Sequence, residues 1–275
     1  MPETPPDTVS SAEPDGSCQP GFPEPSPRWA LFLDFDGTLA EIAPRPQDVV
    51  VAPCLPGLLQ SLHDAFGGGV ALVSGRPIAD LDRLLTPAHL PAAGQHGIEW
   101  RLTAGGALQH RGGDASLLDP LRARFDAFAV QHPCLVIEDK TWSLSVHYRA
   151  APDLEQDIVA IARDHLPPGD ELHIMHGKMV VEIKPSDIDK GNVLDLFLDE
   201  PPFAGRVPVF VGDDRTDEDG FGAVNSRGGV SIRVGPPPAF LGGSRAQWQC
   251  DGVGALVDWL ATLPTAIAGP ASPRN

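Results

Sequence analysis

Cysteine is scarce in this chain, and the few residues present lie far apart. They are Cys18, Cys54, Cys134 and Cys250, and no two of them form the C-x-x-C spacing that is typical of zinc and thiol redox sites. Reduced thiols are the simpler interpretation of this spacing. We therefore expect a cytoplasmic protein.

The chain also lacks long apolar runs and an excess of basic residues. No uninterrupted apolar stretch reaches the roughly 18 residues that a membrane-spanning helix needs, and the amino terminus has neither the basic nor the apolar part of a secretory signal. Acidic residues outnumber basic residues by 37 to 20, which gives a formal net charge of −17. We therefore expect no membrane insertion and no nucleic-acid partner. An anionic substrate would need local positive charge and a cation.

Lysine is rarer than arginine, and its positions are informative. The only lysines are Lys140, Lys178, Lys184 and Lys190, all between positions 140 and 190. Each lysine can mark a site that needs a compact charge on a flexible stem. The alternative is a chance result of codon bias.

The order of apolar runs and helical patterns indicates an α/β protein with a second small domain. Apolar runs such as Val70–Val73, Val207–Val211 and Val230–Val234 alternate with helical patterns, which predicts a parallel sheet. Between positions 135 and 183 the order is strand, strand, helix, strand, strand, typical of a separate antiparallel module. Residues 1–28 contain eight prolines and predict a disordered tail.

The stretch LFLDFDGTL, from Leu31 to Leu39, organises the first half of the chain. Its apolar residues predict a buried parallel strand from Trp29 to Phe35 that ends near Gly37. Asp34 and Asp36 then lie at the carboxyl end of the strand, where α/β sheets bind ligands. Carboxylates at such a position need a partner, and a metal cation is the natural one.

A second acidic cluster follows the apolar strand Val207–Val211. The segment GDDRTDED places five acids in seven positions: Asp213, Asp214, Asp217, Glu218 and Asp219. Neighbouring carboxylates repel each other by about 1 to 4 kcal/mol per pair. A bound divalent cation relieves this repulsion, whereas the alternative is a solvated loop.

A lysine and a short polar motif supply candidate positive charge. Lys190 lies in the first turn of the helical pattern over residues 186–198, after a cap at Asp189, and opposes the helix dipole unless an anion lies nearby. The motif Ser74–Arg76 ends the strand Val70–Val73 and can bind an oxyanion. His96, in the segment GQHG, is more typical of a structural hydrogen-bonding role than of catalysis.

The small module contains two patterned strand pairs. Trp142, Leu144, Val146 and Tyr148 alternate with Ser143, Ser145, His147 and Arg149, which predicts a strand with one buried face. A hairpin follows at 172–183, and its second arm places Lys178 and Glu182 on one face.

These motifs resemble, in order, those of trehalose-6-phosphate phosphatases in the haloacid dehalogenase (HAD) superfamily. The motifs are LDFDGTL, SGR, GQHG, EDKTWSLSVHYR, GKMVVEIKP, DKG and GDDRTDEDGF, and the resemblance spans residues 29 to about 263. It implies a Rossmann-like HAD core with a parallel sheet flanked by helices, and an inserted α/β cap domain of the C2 type. It implies a core at 29–112 and 185–268 and a cap at 113–184, and composition adds the tail at 1–28 and a loose end at 269–275.

The resemblance also implies roles for individual residues. Asp34 is the expected nucleophile, Asp36 the general acid and base, and Lys190 the catalytic cation. The expected Mg²⁺ ligands and their supports are Asp34, Asp36, Asp213, Asp214 and Asp217. The expected substrate-binding residues are Thr38, Ser74, Gly75, Arg76, Glu138, Lys140, Arg149, Lys178 and Glu182.

The implied activity is Mg²⁺-dependent hydrolysis of trehalose 6-phosphate through an aspartyl-phosphate, by a monomer linked to a trehalose-6-phosphate synthase. Two alternatives stay open. One is a phosphatase or mutase for another sugar phosphate, because the DxDGT motif is shared among them. The other is a catalytically silent module that senses the sugar phosphate, although the acidic residues that such modules lose are present here.

Overall fold

The structure is a computed structural model that describes residues 18–111, 114–169, 171–177, 179–186, 188–236 and 243–268. The strands are β1 (Gln19–Pro20), β2 (Trp29–Leu33), β3 (Val70–Val73), β4 (Ala92–Gly94), β5 (Glu99–Arg101), β6 (Gln109–His110), β7 (Val136–Asp139), β8 (Leu144–His147), β9 (Leu172–Gly177), β10 (Val180–Pro185), β11 (Val207–Gly212), β12 (Val230–Val234) and β13 (Trp248–Cys250). The α-helices are α1 (Leu55–Ala65), α2 (Ile78–Leu85), α3 (Asp119–Gln131), α4 (Glu155–His165), α5 (Lys190–Leu198), α6 (Asp217–Ser226) and α7 (Val253–Ala268). Within this described part, no helix has both the length and the apolar character needed to span a membrane.

The larger sheet has nine strands in the order β1-β13-β12-β11-β2-β3-β4-β5-β6. The strands from β1 to β4 along this order pair in parallel, and β5 and β6 add an antiparallel edge. The apolar runs form continuous buried strands because helices cover both faces of the sheet. On β2, Leu31 and Leu33 belong to one core cluster and Phe32 to the other.

The smaller sheet has four antiparallel strands in the order β7-β8-β10-β9. One face packs against α3 and α4 through a core that includes Phe125, Val146, Ile158 and Val181. This arrangement agrees with the strand-strand-helix-strand-strand order predicted from the sequence, and the sheet lies in the chain between the two halves of the larger one. Here the two sheets and the elements packed on them are called the core and the cap.

The prediction of a disordered tail over residues 1–28 is wrong for its second part. Gln19 and Pro20 pair in parallel with β13, and the ring of Phe22 stacks on Trp259 of α7 at a centroid distance of 4.5 Å. The aromatic contact and the free edge of β13 give this proline-rich segment a place to pack. Residues 1–17, the loose end at 269–275 and Lys178 lie outside the described residues.

Two further expectations need correction. The segment GQHGIEWRL from Gly94 was expected to be one strand, but only Glu99–Arg101 forms a strand (β5), because Gln95 and His96 turn the chain with φ values of 50° and 59°. β5 then pairs antiparallel with β4, which ends at Gly94. In the cap, the face of β8 that was expected to be polar is not open to solvent, since Ser143 and Ser145 are buried. That face is turned toward the core, and Ser145 lines the cavity between the two domains.

Candidate active site

Parallel pairing brings the two acidic motifs together. Leu33 of β2 is in register with Val211 of β11, so that Asp34 and Asp213 both lie at the carboxyl edge of adjacent strands. Carboxylate oxygens of Asp34, Asp213 and Asp217 lie within 4.8 Å of one another, and all three residues are buried. Gly37 (φ 84°) makes this approach possible, because a Cβ atom there would lie 2.2 Å from Oδ2 of Asp213.

Lys190 bridges two of these carboxylates. Its Nζ donates hydrogen bonds to Oδ1 of Asp34 at 2.7 Å and to Oδ1 of Asp217 at 2.6 Å. Asp189 caps α5 by accepting from the backbone N–H of Asn192, as predicted. The lysine at the start of the helix therefore faces two anions, which offset its unfavourable interaction with the helix dipole.

Asp217 fixes the conformation of the acidic loop through hydrogen bonds to its backbone. Its Oδ2 accepts hydrogen bonds from the backbone N–H groups of Asp213 and Asp214, both at 2.9 Å. Both of its oxygens are therefore engaged, and the side chain is fully buried. Asp217 thus holds the loop and the lysine in place, whereas Asp214 is half-buried and lines the cavity.

Arg233 supports the same loop and was not predicted from the sequence. This fully buried residue of β12 donates to the backbone carbonyl of Asp213 and to Oε1 of Glu218. An arginine in the middle of the apolar strand VSIRV was the signal that could have revealed it, because a buried guanidinium needs acceptors.

Asp36 is engaged by Arg76. Nε and Nη2 of Arg76 donate to the two carboxylate oxygens of Asp36 at 2.6 and 2.7 Å, and Nη2 also donates to the carbonyl of Pro46. The motif SGR therefore follows strand β3, as expected. Its guanidinium, which was expected to bind an oxyanion, binds the carboxylate of Asp36 in the structure. Thr38 is fully buried, and its hydroxyl has no hydrogen-bond partner among the described residues.

The cap presents a row of polar side chains to the core. Glu138 of β7 and Glu182 of β10 are both register partners of Ser145 on β8, so the three share one face. Nε2 of His147 lies 3.0 Å from Oε2 of Glu138. Ser145 and His147 were not predicted to belong to the site, although the alternation of β8 places them on the face opposite Val146.

Core and cap meet around the cavity that contains Asp34. It is lined by Asp34, Asp36, Ser74, Gly75, Arg76, His96, Glu138, Lys140, Ser145, His147, Arg149, Glu182, Lys190, Asp213, Asp214 and Thr216, among others. Nζ of Lys140 donates to the carbonyl of Gly75 at 3.0 Å, and the ring of Trp142 stacks on His110 of β6 at 4.8 Å. Trp142 was expected in the cap interior, but it precedes β8 and contacts the core.

At the acidic end of the cavity, the negative charge of the buried carboxylates exceeds the positive charge of Lys190. Burial, together with Asp217 and Asp213, raises the pKa of Asp34 well above its usual value despite the neighbouring lysine. Burial alone would lower the pKa of Lys190, but Asp217 and Asp34 outweigh it and raise that pKa. Lys190 contacts two of the three buried carboxylates, and a hard divalent cation with oxygen ligands fits this donor set.

Solved structures with the same architecture define the class. The C-terminal domain of the trehalose-6-phosphate phosphatase of Candida albicans superposes with a TM-score of 0.76 at 22% identity, covering 87% of this chain and 93% of that one. The HAD phosphatase BT1666 of Bacteroides thetaiotaomicron superposes with a TM-score of 0.57 at 17% identity, covering 95% and 100%. The fold is that of the HAD phosphatases with a cap domain, as predicted.

Sequence comparison gives the family. A sequence model described as trehalose-phosphatase matches residues 32–248. The probable trehalose-phosphate phosphatase of Sinorhizobium fredii is 43% identical over 210 residues, which are 76% of this chain and 78% of that protein. The trehalose-6-phosphate phosphatase of Escherichia coli K12 is 39% identical over 245 residues, or 89% and 90%. The chain belongs to the trehalose-phosphatase family, which confirms the resemblance seen in its motifs.

Proposed function

We propose that this protein hydrolyses trehalose 6-phosphate to trehalose and phosphate through an aspartyl-phosphate on Asp34. The observation that carries the proposal is the placement of the buried Asp34, with Lys190 and Asp213 beside it, at one end of a cavity whose other end is the polar face of the cap. Phosphoryl transfer needs positioned charge at the first end. Recognition of a disaccharide needs hydrogen-bonding groups at the second.

In this mechanism, a carboxylate oxygen of Asp34 attacks phosphorus while the sugar oxygen leaves. Lys190 holds Asp34 in position and offsets negative charge on the phosphoryl group. Asp36 protonates the leaving oxygen and later takes a proton from the attacking water. Because Arg76 occupies both oxygens of Asp36, we propose that the guanidinium turns to the phosphoryl group, beside Ser74, Gly75 and Thr38, when substrate enters.

The same residues are suited to Mg²⁺. Asp34, Asp213 and the backbone carbonyl of Asp36 would hold the ion, with Asp214 and Asp217 in support. Its chemistry would be to neutralise charge between two anions and to orient the phosphoryl group. The donor set, all oxygen and mostly carboxylate, supports a hard cation rather than a soft one.

The cap would recognise the sugar. Glu138, Lys140, Arg149 and Glu182 line the cavity and can exchange hydrogen bonds with sugar hydroxyls, and we propose the same role for Lys178. Charged groups discriminate against ligands that lack the matching hydroxyls, because those groups would be left unpaired. The contacts between core and cap would keep water out until the intermediate has formed.

The setting of the reaction is also a proposal. The four cysteines are free thiols, which supports a reducing compartment such as the cytoplasm. The substrate must come from a reaction that joins two sugars and leaves one phosphate, so we propose a functional link to a trehalose-6-phosphate synthase. We further propose that the chain acts as a monomer, since core and cap of one chain enclose the cavity.

A panel of sugar phosphates, assayed for free phosphate with Mg²⁺ and with a chelator, tests the function. We expect the highest kcat/KM for trehalose 6-phosphate, and loss of release with chelator. Preference for another sugar phosphate would favour the alternative phosphatase or mutase, and binding without turnover in Mg²⁺ would favour a sensing module. Glu182→Ala should reduce turnover of trehalose 6-phosphate more than that of a small aryl phosphate, because the latter does not reach the cap.

A further inference from the structure

His96 is delivered to the cavity by a rigid turn of the core. It lies between β4 and β5 with φ 59°, a conformation in which histidine is several times more common than most residues. Its backbone N–H donates to the carbonyl of Ser74 at 2.9 Å, and the N–H of Gln95 donates to that of Arg76 at 3.0 Å. These bonds attach the turn to the SGR motif.

The imidazole reaches across to the cap. Nε2 of His96 lies 2.9 Å from Oε2 of Glu182, and His96 is only 7% exposed. The other oxygen of Glu182 lies 3.5 Å from Nζ of Lys140, which itself donates to Gly75 of the core. A Cβ atom on Gly75 would lie 2.7 Å from Nε2 of His96, so glycine at this position leaves space for the ring.

The protonation states identify the donor. Burial lowers the pKa of His96 to about 4, although Glu182 opposes this effect. Burial alone would raise the pKa of Glu182, but Lys140 and His96 outweigh it and hold that pKa well below the usual range. At neutral pH a neutral imidazole therefore faces a carboxylate, and the proton must be on Nε2. Such a donor orients the carboxylate without cancelling its charge.

We infer that His96 is a positioning residue that orients the Glu182 carboxylate for the sugar hydroxyls, and does so only when cap and core are in contact. The inference deepens the proposed function and rests on it. The reacting end of the cavity is complete within the core, whereas the sugar-binding carboxylate is contacted both by Lys140 of its own domain and by His96 of the opposite one. Selectivity for the disaccharide is thereby coupled to closure of the cap.

Two substitutions of similar size separate hydrogen bonding from packing. His96→Leu removes the donor, and His96→Gln retains an N–H that can reach the same oxygen. The readout is the ratio of kcat/KM for trehalose 6-phosphate to kcat/KM for p-nitrophenyl phosphate, measured for each variant. A hydrogen bond to a charged group corresponds to roughly a tenfold to hundredfold effect. We expect the ratio to fall by at least tenfold in H96L, mainly through KM, and to stay within about threefold of wild type in H96Q.

A double variant tests whether His96 acts through Glu182. In a Glu182→Gln background, adding H96L should change the ratio by less than threefold. An equal loss in H96L and H96Q, an unchanged ratio in H96L, or additive losses in the double variant would each overturn the inference. Failure of wild type to release phosphate from trehalose 6-phosphate would instead overturn the proposed function.

If H96L does not fold, a measurement on the wild-type protein still tests the inference. Nitrogen-15 NMR of the histidine side chains at pH 7 should show His96 as a neutral imidazole with its proton on Nε2. An imidazolium, or a proton on Nδ1, would contradict the assignment of His96 as a neutral donor.

Discussion

Arg76 and Asp36, 40 residues apart in the chain, form a two-pronged ion pair with distances of 2.6 and 2.7 Å between nitrogen and oxygen atoms. Such pairing depends on the planar fork of the guanidinium, which an ammonium group cannot reproduce. Arg76→Lys should therefore lower kcat for trehalose 6-phosphate by at least tenfold, because an ammonium group cannot present this fork to the phosphoryl group when substrate enters. Steady-state kinetics measures this effect.

Arg83→Lys, on an exposed arginine paired with Asp80, is the matched control and should leave kcat within twofold of wild type. Equal kcat values in the two variants would exclude the role given to Arg76.

Lys190 is expected to stabilise the fold as well as the reaction. Its ammonium group lies between two buried carboxylates, and removing one partner of a buried ion pair costs about 3–5 kcal/mol. Lys190→Met should lower the free energy of unfolding by about this amount in urea titrations without divalent ions. Added Mg²⁺ should restore part of the loss, because a cation again faces Asp34 and Asp217. A variant as stable as wild type in chelator would show that this lysine is not needed to compensate the acids.

Acid should destabilise the protein partly through His96. This histidine, which faces Glu182, Lys184 and Lys190, binds a proton near pH 6.5 in the unfolded chain and near pH 4 in the folded chain. Between these pH values the unfolded chain binds more protons, so the free energy of unfolding falls as the pH is lowered. From pH 7 to pH 5 this group accounts for about 2 kcal/mol.

Urea unfolding at the two pH values measures the effect in wild type and in His96→Gln. The variant should lose about 2 kcal/mol less than wild type over the interval, since glutamine does not titrate. The remaining histidines are common to both proteins and cancel in the comparison. Identical losses would mean that His96 is not held neutral by its surroundings.

The segment before β2 should contribute to stability. Phe22 stacks on Trp259 with an interplanar angle of 3°, and Trp259 also contacts Trp29 at a centroid distance of 6.2 Å. Phe22→Ala should therefore lower the free energy of unfolding by about 1–2 kcal/mol. Glu24→Ala, on an exposed side chain of the same segment, should have no measurable effect. If both variants unfold at the same urea concentration as wild type, the aromatic contact adds nothing to the fold.

The placement of the acidic motifs was predictable because parallel strands end at a common edge. Asp34 and Asp213 each follow a buried apolar run, so their convergence follows from topology alone. Lys190 was identified by an unfavourable position in its helix, which required an anion nearby. For Lys190, the local conflict in the sequence pointed to the contacts with Asp34 and Asp217 that resolve it.

Other features depend on contacts between distant segments and carry no local signal. Whether the fork of Arg76 binds a phosphate or Asp36 is decided by the position of a different strand end. Ser145 of the cap is buried because the core covers its face of the sheet, and the alternation of its own strand does not reveal this. The pairing of Gln19 and Pro20 with β13 joins positions almost 230 residues apart, which the composition of a proline-rich segment does not reveal.

The most direct test of the account is the release of phosphate from trehalose 6-phosphate by Asp34→Asn compared with wild type, in excess Mg²⁺. Asparagine has nearly the same shape as aspartate but cannot act as the anionic nucleophile. We predict a loss of at least a thousandfold in kcat, with trehalose 6-phosphate still bound in calorimetry. Phosphate release at the wild-type rate would contradict the assignment of Asp34 as the group that attacks phosphorus.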